Sequence, residues 1–200
     1  TDPDAYLDDI EGDAALAFAR AENARSLGVL QADPRYEDLH AKALAIVTAK
    51  DRIPGVGFAG DGRLRDFWQD PDHVRGIWRS VDAASYRAGA PAWRTILDLD
   101  ALSAAEKANW VWKGASCLAP DDRLCLVQLS EGGKDAVEVR EFDAAAGKFV
   151  AGGFVSPQGK QEVAWLDADT LLIARDWGDG TMTRSGYPFV IKAWKRGTPI

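Results

Sequence analysis

The 200-residue sequence is poor in cysteine and histidine, with two of each, and poor in base relative to acid, with 24 Lys and Arg against 31 Asp and Glu. No apolar run approaches the roughly 20 residues that cross a bilayer, so no membrane span and no membrane partner is expected. A net charge of −7 repels a polyanion, which argues against nucleic acid as a partner. His40 and His73 are isolated, and read as a helix residue and a turn residue rather than as metal ligands. No Gly-x-Ser-x-Gly elbow, phosphate loop, His-Glu-x-x-His or Cys-x-x-Cys occurs, so the chain carries no catalytic signature and neither metal nor cofactor is expected. Thr1-Asp2-Pro3-Asp4 lacks the basic and then apolar profile of a secretion signal, and a start at threonine reads as upstream residues removed or omitted. The compartment therefore stays open between the cytoplasm and a periplasmic or secreted location.

What is present is enough apolar residue, 46% of the chain, for one sizeable core. Residues 1–54 read as a helical segment. After Gly12, Asp13 is placed to cap a helix over Ala14 to Leu30, whose Leu16, Ala19, Asn23, Leu27 and Leu30 share one face. Asp33-Pro34 restarts the pattern as N-cap and first helical residue, with Tyr36, Leu39, Ala43, Ile46 and Val47 on the buried side. Asp8, Asp9, Glu11 and Asp13 precede the first helix, where negative charge suits the positive end of its dipole. Pro54 and the cluster Gly55, Gly57, Gly60 and Gly62 then make a connection.

From residue 63 the period becomes that of strands. Runs at Leu64 to Gln69, Arg75 to Val81 and Thr95 to Leu99 form a first set. Trp110 to Leu118, Leu124 to Leu129, Ala136 to Phe142 and Lys148 to Phe154 form a second, and Glu162 to Leu166, Leu171 to Arg175 and Phe189 to Lys195 a third, one strand short. Four-stranded meanders repeating with an aromatic and an aspartate turn predict β-propeller blades at roughly 63–100, 109–154 and 162–200, within an incomplete propeller over 55–200. A β-sandwich of the same strands is the alternative. Of the eight tryptophans, those in strands fit wedges between sheets, while Trp177 lies in a loop and either meets a partner or covers a blade edge.

The turn Pro120-Asp121-Asp122 joins two arms that carry Cys117 and Cys125 nearly face to face. Opposed residues of a non-hydrogen-bonded antiparallel pair have α-carbons roughly 4.5 Å apart, at the lower end of what a disulfide accepts. Two readings stand: a cross-strand disulfide, which would favour an oxidising compartment, or two small buried hydrophobes.

Several stretches resemble the N-terminal region of the prolyl oligopeptidase family of serine peptidases, the S9 group. They are Tyr6-Leu7-Asp8-Asp9-Ile10, Phe18-Ala19-Arg20-Ala21-Glu22-Asn23, Ile96-Leu97-Asp98-Leu99-Asp100, Ala119-Pro120-Asp121-Asp122-Arg123 and Ala164-Trp165-Leu166-Asp167. Phe18 stands where the family often has tryptophan, and Asp122 where it has a turn glycine. The resemblance implies a mainly β fold with an N-terminal α-helical segment, about two and a half to three blades of a presumed seven. It implies an enzyme that hydrolyses short, proline-containing peptides, with a peptide substrate and a C-terminal α/β-hydrolase domain as the partners of this segment. The family's Ser, Asp and His lie downstream of the propeller, so this chain reads as an inactive fragment that gates access, with no catalytic residue of its own. In some members a propeller aromatic touches substrate; here Gly159-Lys160-Gln161 occupies that region, so the role is not carried over. The competing reading is a non-catalytic propeller that binds a protein or glycan.

Overall fold

Apolar runs separated by short turns pair with their neighbours in sequence, and in the computed structural model this local pairing builds three antiparallel sheets. The structure describes residues 2–9 and 11–200; Thr1, and Ile10 of the acidic opening motif, lie outside it. The chain divides into two compact units, residues 1–49 and 50–200.

The first unit holds a short 3-10 helix, Ala5–Asp8, then α1, Asp13–Gln31, and α2, Tyr36–Val47. Two expectations need correction. Gly12, not Asp13, is the N-cap of α1, and Asp13 lies in the first turn, where its charge meets the helix dipole. The second helix starts at Tyr36 and not at Pro34, because Asp33 turns its carboxylate back onto the backbone N–H and guanidinium of Arg35 and its carbonyl onto the N–H of Tyr36. The apolar faces are also not buried: Leu16, Leu27, Leu30, Leu39, Ile46 and Val47 are exposed, and Ala15 is the buried residue of α1. Periodicity defines a face, but burial needs an opposing surface.

The second unit opens with β1, Gly57–Phe58, drawn from the glycine-rich stretch that read as a connection. It pairs with β2, Arg63–Trp68, then β3, Ile77–Asp82, and β4, Arg94–Asp98, in the order β1-β2-β3-β4, so the first set has four strands rather than three. Two short helices were not expected. Asp82 caps α3, Ala83–Arg87, by accepting from the N–H groups of Ala84 and Ser85, and Asp98 caps α4, Leu99–Glu106, by accepting from Ala101.

The second sheet comprises β5, Trp110–Cys117, β6, Leu124–Glu131, and β7, Val137–Asp143, with an outer edge in two pieces, β8, Lys148–Phe149, and β9, Val155–Gly159, both paired to β7. The single strand expected over Lys148 to Phe154 is interrupted by a turn: Gly153 N–H bonds to Val150 O, Gly152 takes φ +67°, and Phe154 turns into the core. The third sheet holds β10, Glu162–Asp167, β11, Thr170–Ala174, and β12, Ile191–Lys195.

The middle sheet organises the packing. Side chains alternate across a strand, so along β6 Cys125, Val127 and Leu129 join Trp78, Ile96, Leu97, Leu99 and Phe142 in a core toward the first sheet. Leu126 faces the other way and joins Val137, Val139, Phe154 and Leu171 toward the third. Glu141, 2% exposed, extends this second seam by accepting both guanidinium Nη groups of Arg196 at 2.7 and 2.9 Å. The sheets are not closed into a ring.

Candidate functional site

The β5–β6 turn is built by its aspartates. Asp122 takes φ +52°, the left-handed region that favours glycine, which accounts for the glycine resembling members carry there. Aspartate adds a link glycine lacks: its Oδ2 accepts the N–H of Gly60 at 2.8 Å, tying this turn to the β1–β2 turn. Gly60 in turn has no room for a side chain, since a Cβ would run into the carbonyl of Pro120. Asp121 accepts from the backbone N–H of Arg123, so both acids hold the turn.

Behind the turn, Cys117 and Cys125 are directly opposed in register, with α-carbons 3.9 Å apart and the sulfurs bonded. Nη1 of Arg65 lies 3.4 Å from one sulfur and 3.7 Å from the other, while its Nη2 pairs with Asp61 at 3.2 Å. A cleft of about 350 Å³ opens here, lined by Phe58, Arg65, Trp78, Trp112, Cys117 and Asp122. A guanidinium at that distance would stabilise a thiolate released from the bridge. Nothing in the spacing pointed to Arg65, because its contact to the cysteines crosses 52 and 60 residues.

The indole N–H of Trp165 donates to Ser116 O, which puts the β10–β11 turn at the same end as the β5–β6 turn. At the opposite end, Gln158, Lys160, Arg175, Asp176 and Met182 line a second cleft of about 560 Å³. Lys160 is thus part of a pocket wall, held over the Tyr187 ring at 4.2 Å and 3.8 Å from Asp135. Gln161, its neighbour, is buried.

The remaining candidates are structural. His40 stacks on Tyr36, and Nδ1 of His73 lies 3.0 Å from Asp70. Burial alone would raise the Asp70 carboxyl, but hydrogen bonds from the Trp68 indole, the His73 ring and the His73 and Asp72 backbone outweigh it and hold the group down at about 2. Among the described residues no group of three or more His, Cys, Asp or Glu side chains could hold a metal ion, the acids before α1 included. Trp78 and Trp112 pack between the first and second sheets, and Trp165 and Trp194 between the second and third. Trp177 is half-buried; its indole N–H donates to Val190 O and Lys192 lies 4.2 Å over its ring, so it lies against the start of β12. Among the described residues no helix is long and apolar enough to cross a membrane.

Three open sheets of four, five and three strands, packed face to face around aromatic wedges and following a helical pair in sequence, define part of a β-propeller. The family model for the prolyl oligopeptidase N-terminal β-propeller domain matches residues 1–199, and the chain belongs to this family. An uncharacterized peptidase of Sinorhizobium fredii is 52% identical over 200 residues, and one of Rickettsia prowazekii 27% over 203. These cover 100% and 98% of this chain, and 28% of each relative, so the chain spans well under a third of their length. A post-proline cleaving enzyme from Rickettsia typhi superposes with a TM-score of 0.86 at 28% identity, over 98% of this chain and 29% of that one. A prolyl endopeptidase at 19% identity and TM-score 0.51, over 94% of this chain and 25% of that one, shares the fold.

Proposed function

We propose that this chain is the N-terminal part of a prolyl oligopeptidase-like serine peptidase that hydrolyses short, proline-containing peptides. The helical segment, 1–54, and the blades at 63–100, 109–154 and 162–200 then form the gate that keeps large folded substrates from the active site. They pack on an α/β-hydrolase domain that carries the catalytic serine, aspartate and histidine. The chain alone is inactive. The observation that carries this reading is the family match over residues 1–199 together with the likeness, over nearly the whole chain, to a post-proline cleaving enzyme. The bonded sulfurs of Cys117 and Cys125 support an oxidising compartment, periplasmic or secreted.

The test is hydrolysis of a chromogenic peptide with proline before the scissile bond, by the intact protein and by residues 1–200 alone. The intact protein is expected to cleave it and to lose activity to a serine-directed phosphonate, and the shorter chain to do neither. An intact protein without that activity sinks the proposal. Two free thiols on titration of denatured, unreduced protein would remove the compartment argument alone.

A further inference from the structure

Arg175 directly follows β11 at the rim of the second cleft, and the way it is held leaves most of its hydrogen-bonding capacity unused. The chain of bonds beneath it starts from buried Gln161. Its amide N–H groups donate to the carbonyls of Val137 at 2.6 Å and Pro157 at 3.0 Å, which turns its Oε1 toward Ser156. Ser156, 1% exposed, must donate to that oxygen, at 2.5 Å, and so is left as an acceptor for Nη1 of Arg175 at 3.0 Å. One of five guanidinium donors is thereby fixed to a buried post. Among the described residues no carboxylate lies within ion-pair distance of Arg175, as is also true of the half-buried Arg63 and Arg75, whereas Arg65 and Arg79 each have one and Arg140 and Arg196 two. Its other contact is the face of Trp177, 6.0 Å from the ring centre.

Across the same cleft stands Lys160, whose ammonium donates to Ser185 O at 3.4 Å and has a long pairing with Asp135 at 3.8 Å, the tighter bond to that acid, 2.8 Å, being made by the Tyr187 hydroxyl. The other acid on the wall, Asp176, is engaged with the N–H of Gly178 at 2.9 Å. Met182 and the backbone of Gly159, Gly178 and Gly186 complete the lining.

We propose that this cleft binds a carboxylate of a peptide, with the Arg175 fork as the main donor and the Lys160 ammonium as the second charge. The inference rests on the peptidase reading for its ligand and adds the class of peptide: one that presents an acidic side chain or a free C-terminus to the end of the sheets where β11 finishes. A planar guanidinium with a free edge matches a carboxylate in two parallel bonds, and the buried Ser156–Gln161 post pre-orients it.

The test uses the intact protein and three labelled peptides of one length: one with a free C-terminus and neutral side chains, its C-terminal amide, and that amide with one glutamine replaced by glutamate. Binding by fluorescence anisotropy is compared for wild type, Arg175→Gln, Lys160→Gln and, as control, Arg184→Gln, which lies outside the cleft lining. At least one carboxylate peptide is expected to bind about tenfold or more tighter than the neutral amide. That advantage is lost in Arg175→Gln, reduced in Lys160→Gln and kept in Arg184→Gln, and which peptide shows it identifies the source of the carboxylate. Equal binding of all three, no measurable binding of any, or an advantage untouched by both cleft variants overturns the proposal. Should Arg175→Gln fold poorly, Lys160→Gln alone decides, since Lys160 makes none of the buried bonds. Proline-peptide hydrolysis measured on the same preparations separates the two readings: cleavage without carboxylate discrimination removes this inference only, and discrimination without cleavage removes the peptidase reading only.

Discussion

β6 and α2 are both rich in apolar residues and meet opposite fates. Along β6, Cys125, Leu126, Val127 and Leu129 are all fully buried, alternately toward the first and third sheets. Along α2, Leu39, Leu44, Ile46 and Val47 are exposed by half or more. A strand with a neighbour on each face can bury every residue, whereas a helix buries only the stripe for which a partner surface is present. The apolar signal in α2 is thus a statement about what the helix fits. In β6 it describes what the strand already has.

The sharpest way to break this comparison is to cut a methyl cluster from each kind of site. Leu126→Ala removes a wholly buried side chain from the seam between the second and third sheets and is expected to cost about 3 kcal/mol, lowering the melting temperature by about 10 °C. Leu172→Ala, on the same kind of strand but 37% exposed, is expected to cost about 0.5 kcal/mol or less. Equal losses in chemical denaturation would mean that the third sheet is covered by something in solution.

The middle sheet was readable for the same reason that it is stable. β5 and β6 meet at Pro120-Asp121-Asp122, so the opposition of Cys117 to Cys125 follows from counting residues outward from the turn, and the count holds as far as the bulge between Trp112 and Gly114. Legibility failed where a local signal had a second meaning. Phe154 extends an apolar run yet is cut off from Lys148–Phe149 by a turn; Gly57–Phe58 is too short and too glycine-rich to stand out; Leu99 looks like a strand end but opens α4 under the Asp98 cap. The candidate site was less legible still. Arg65 reaches the cysteines, and Arg175 reaches Ser156, only because strands from different sheets are brought together, and no spacing rule spans such gaps.

Reduction of the Cys117–Cys125 bridge probes the staple within the middle sheet. Its sequence separation of 8 closes a short loop, and the chain-entropy argument assigns such a loop about 2.5 kcal/mol. Tris-carboxyethylphosphine is therefore expected to lower the denaturation midpoint of the wild type and to leave a Cys117→Ser, Cys125→Ala double variant unmoved. An unchanged wild-type midpoint would place the stability of β5 and β6 in packing alone.

Acid separates the two units by a smaller effect. Asp70, in the loop between β2 and β3, has a carboxyl held at about 2 by its hydrogen bonds, below the roughly 3.9 of an unfolded aspartate. A depressed folded value means that the native state keeps its charge longer than the unfolded one does. The resulting stabilisation is complete above about pH 5 and fades as pH falls through 3.9 toward 2. Asp70→Asn should therefore melt lower than wild type at pH 6, with the gap narrowing by pH 2.5. In the helical unit Asp33 is also lowered, by the Arg35 side chain first and its backbone second, but in an exposed pair screened by solvent. Asp33→Asn is expected to show no such narrowing gap, and parallel behaviour of the two variants would erase the distinction.

The smallest effect on stability is expected where apolar residues are as plentiful but the burial is missing. Ile46, 70% exposed on α2, contributes little to the folded state of residues 1–200, so Ile46→Ser should change the melting temperature of this chain by no more than about 2 °C. The same substitution should matter more in the intact protein if the hydrolase domain proposed above packs on the helices. There the side chain would leave a covered surface, and a loss of about 1 kcal/mol or more is expected. Sedimentation adds a second readout: an apolar stripe this open favours self-association of the 200-residue chain, and the serine variant should shift it toward monomer. A variant equally silent in both proteins, with unchanged sedimentation, would mean that the α2 face has no partner at all, and its periodicity would then need a different physical explanation from that of β6.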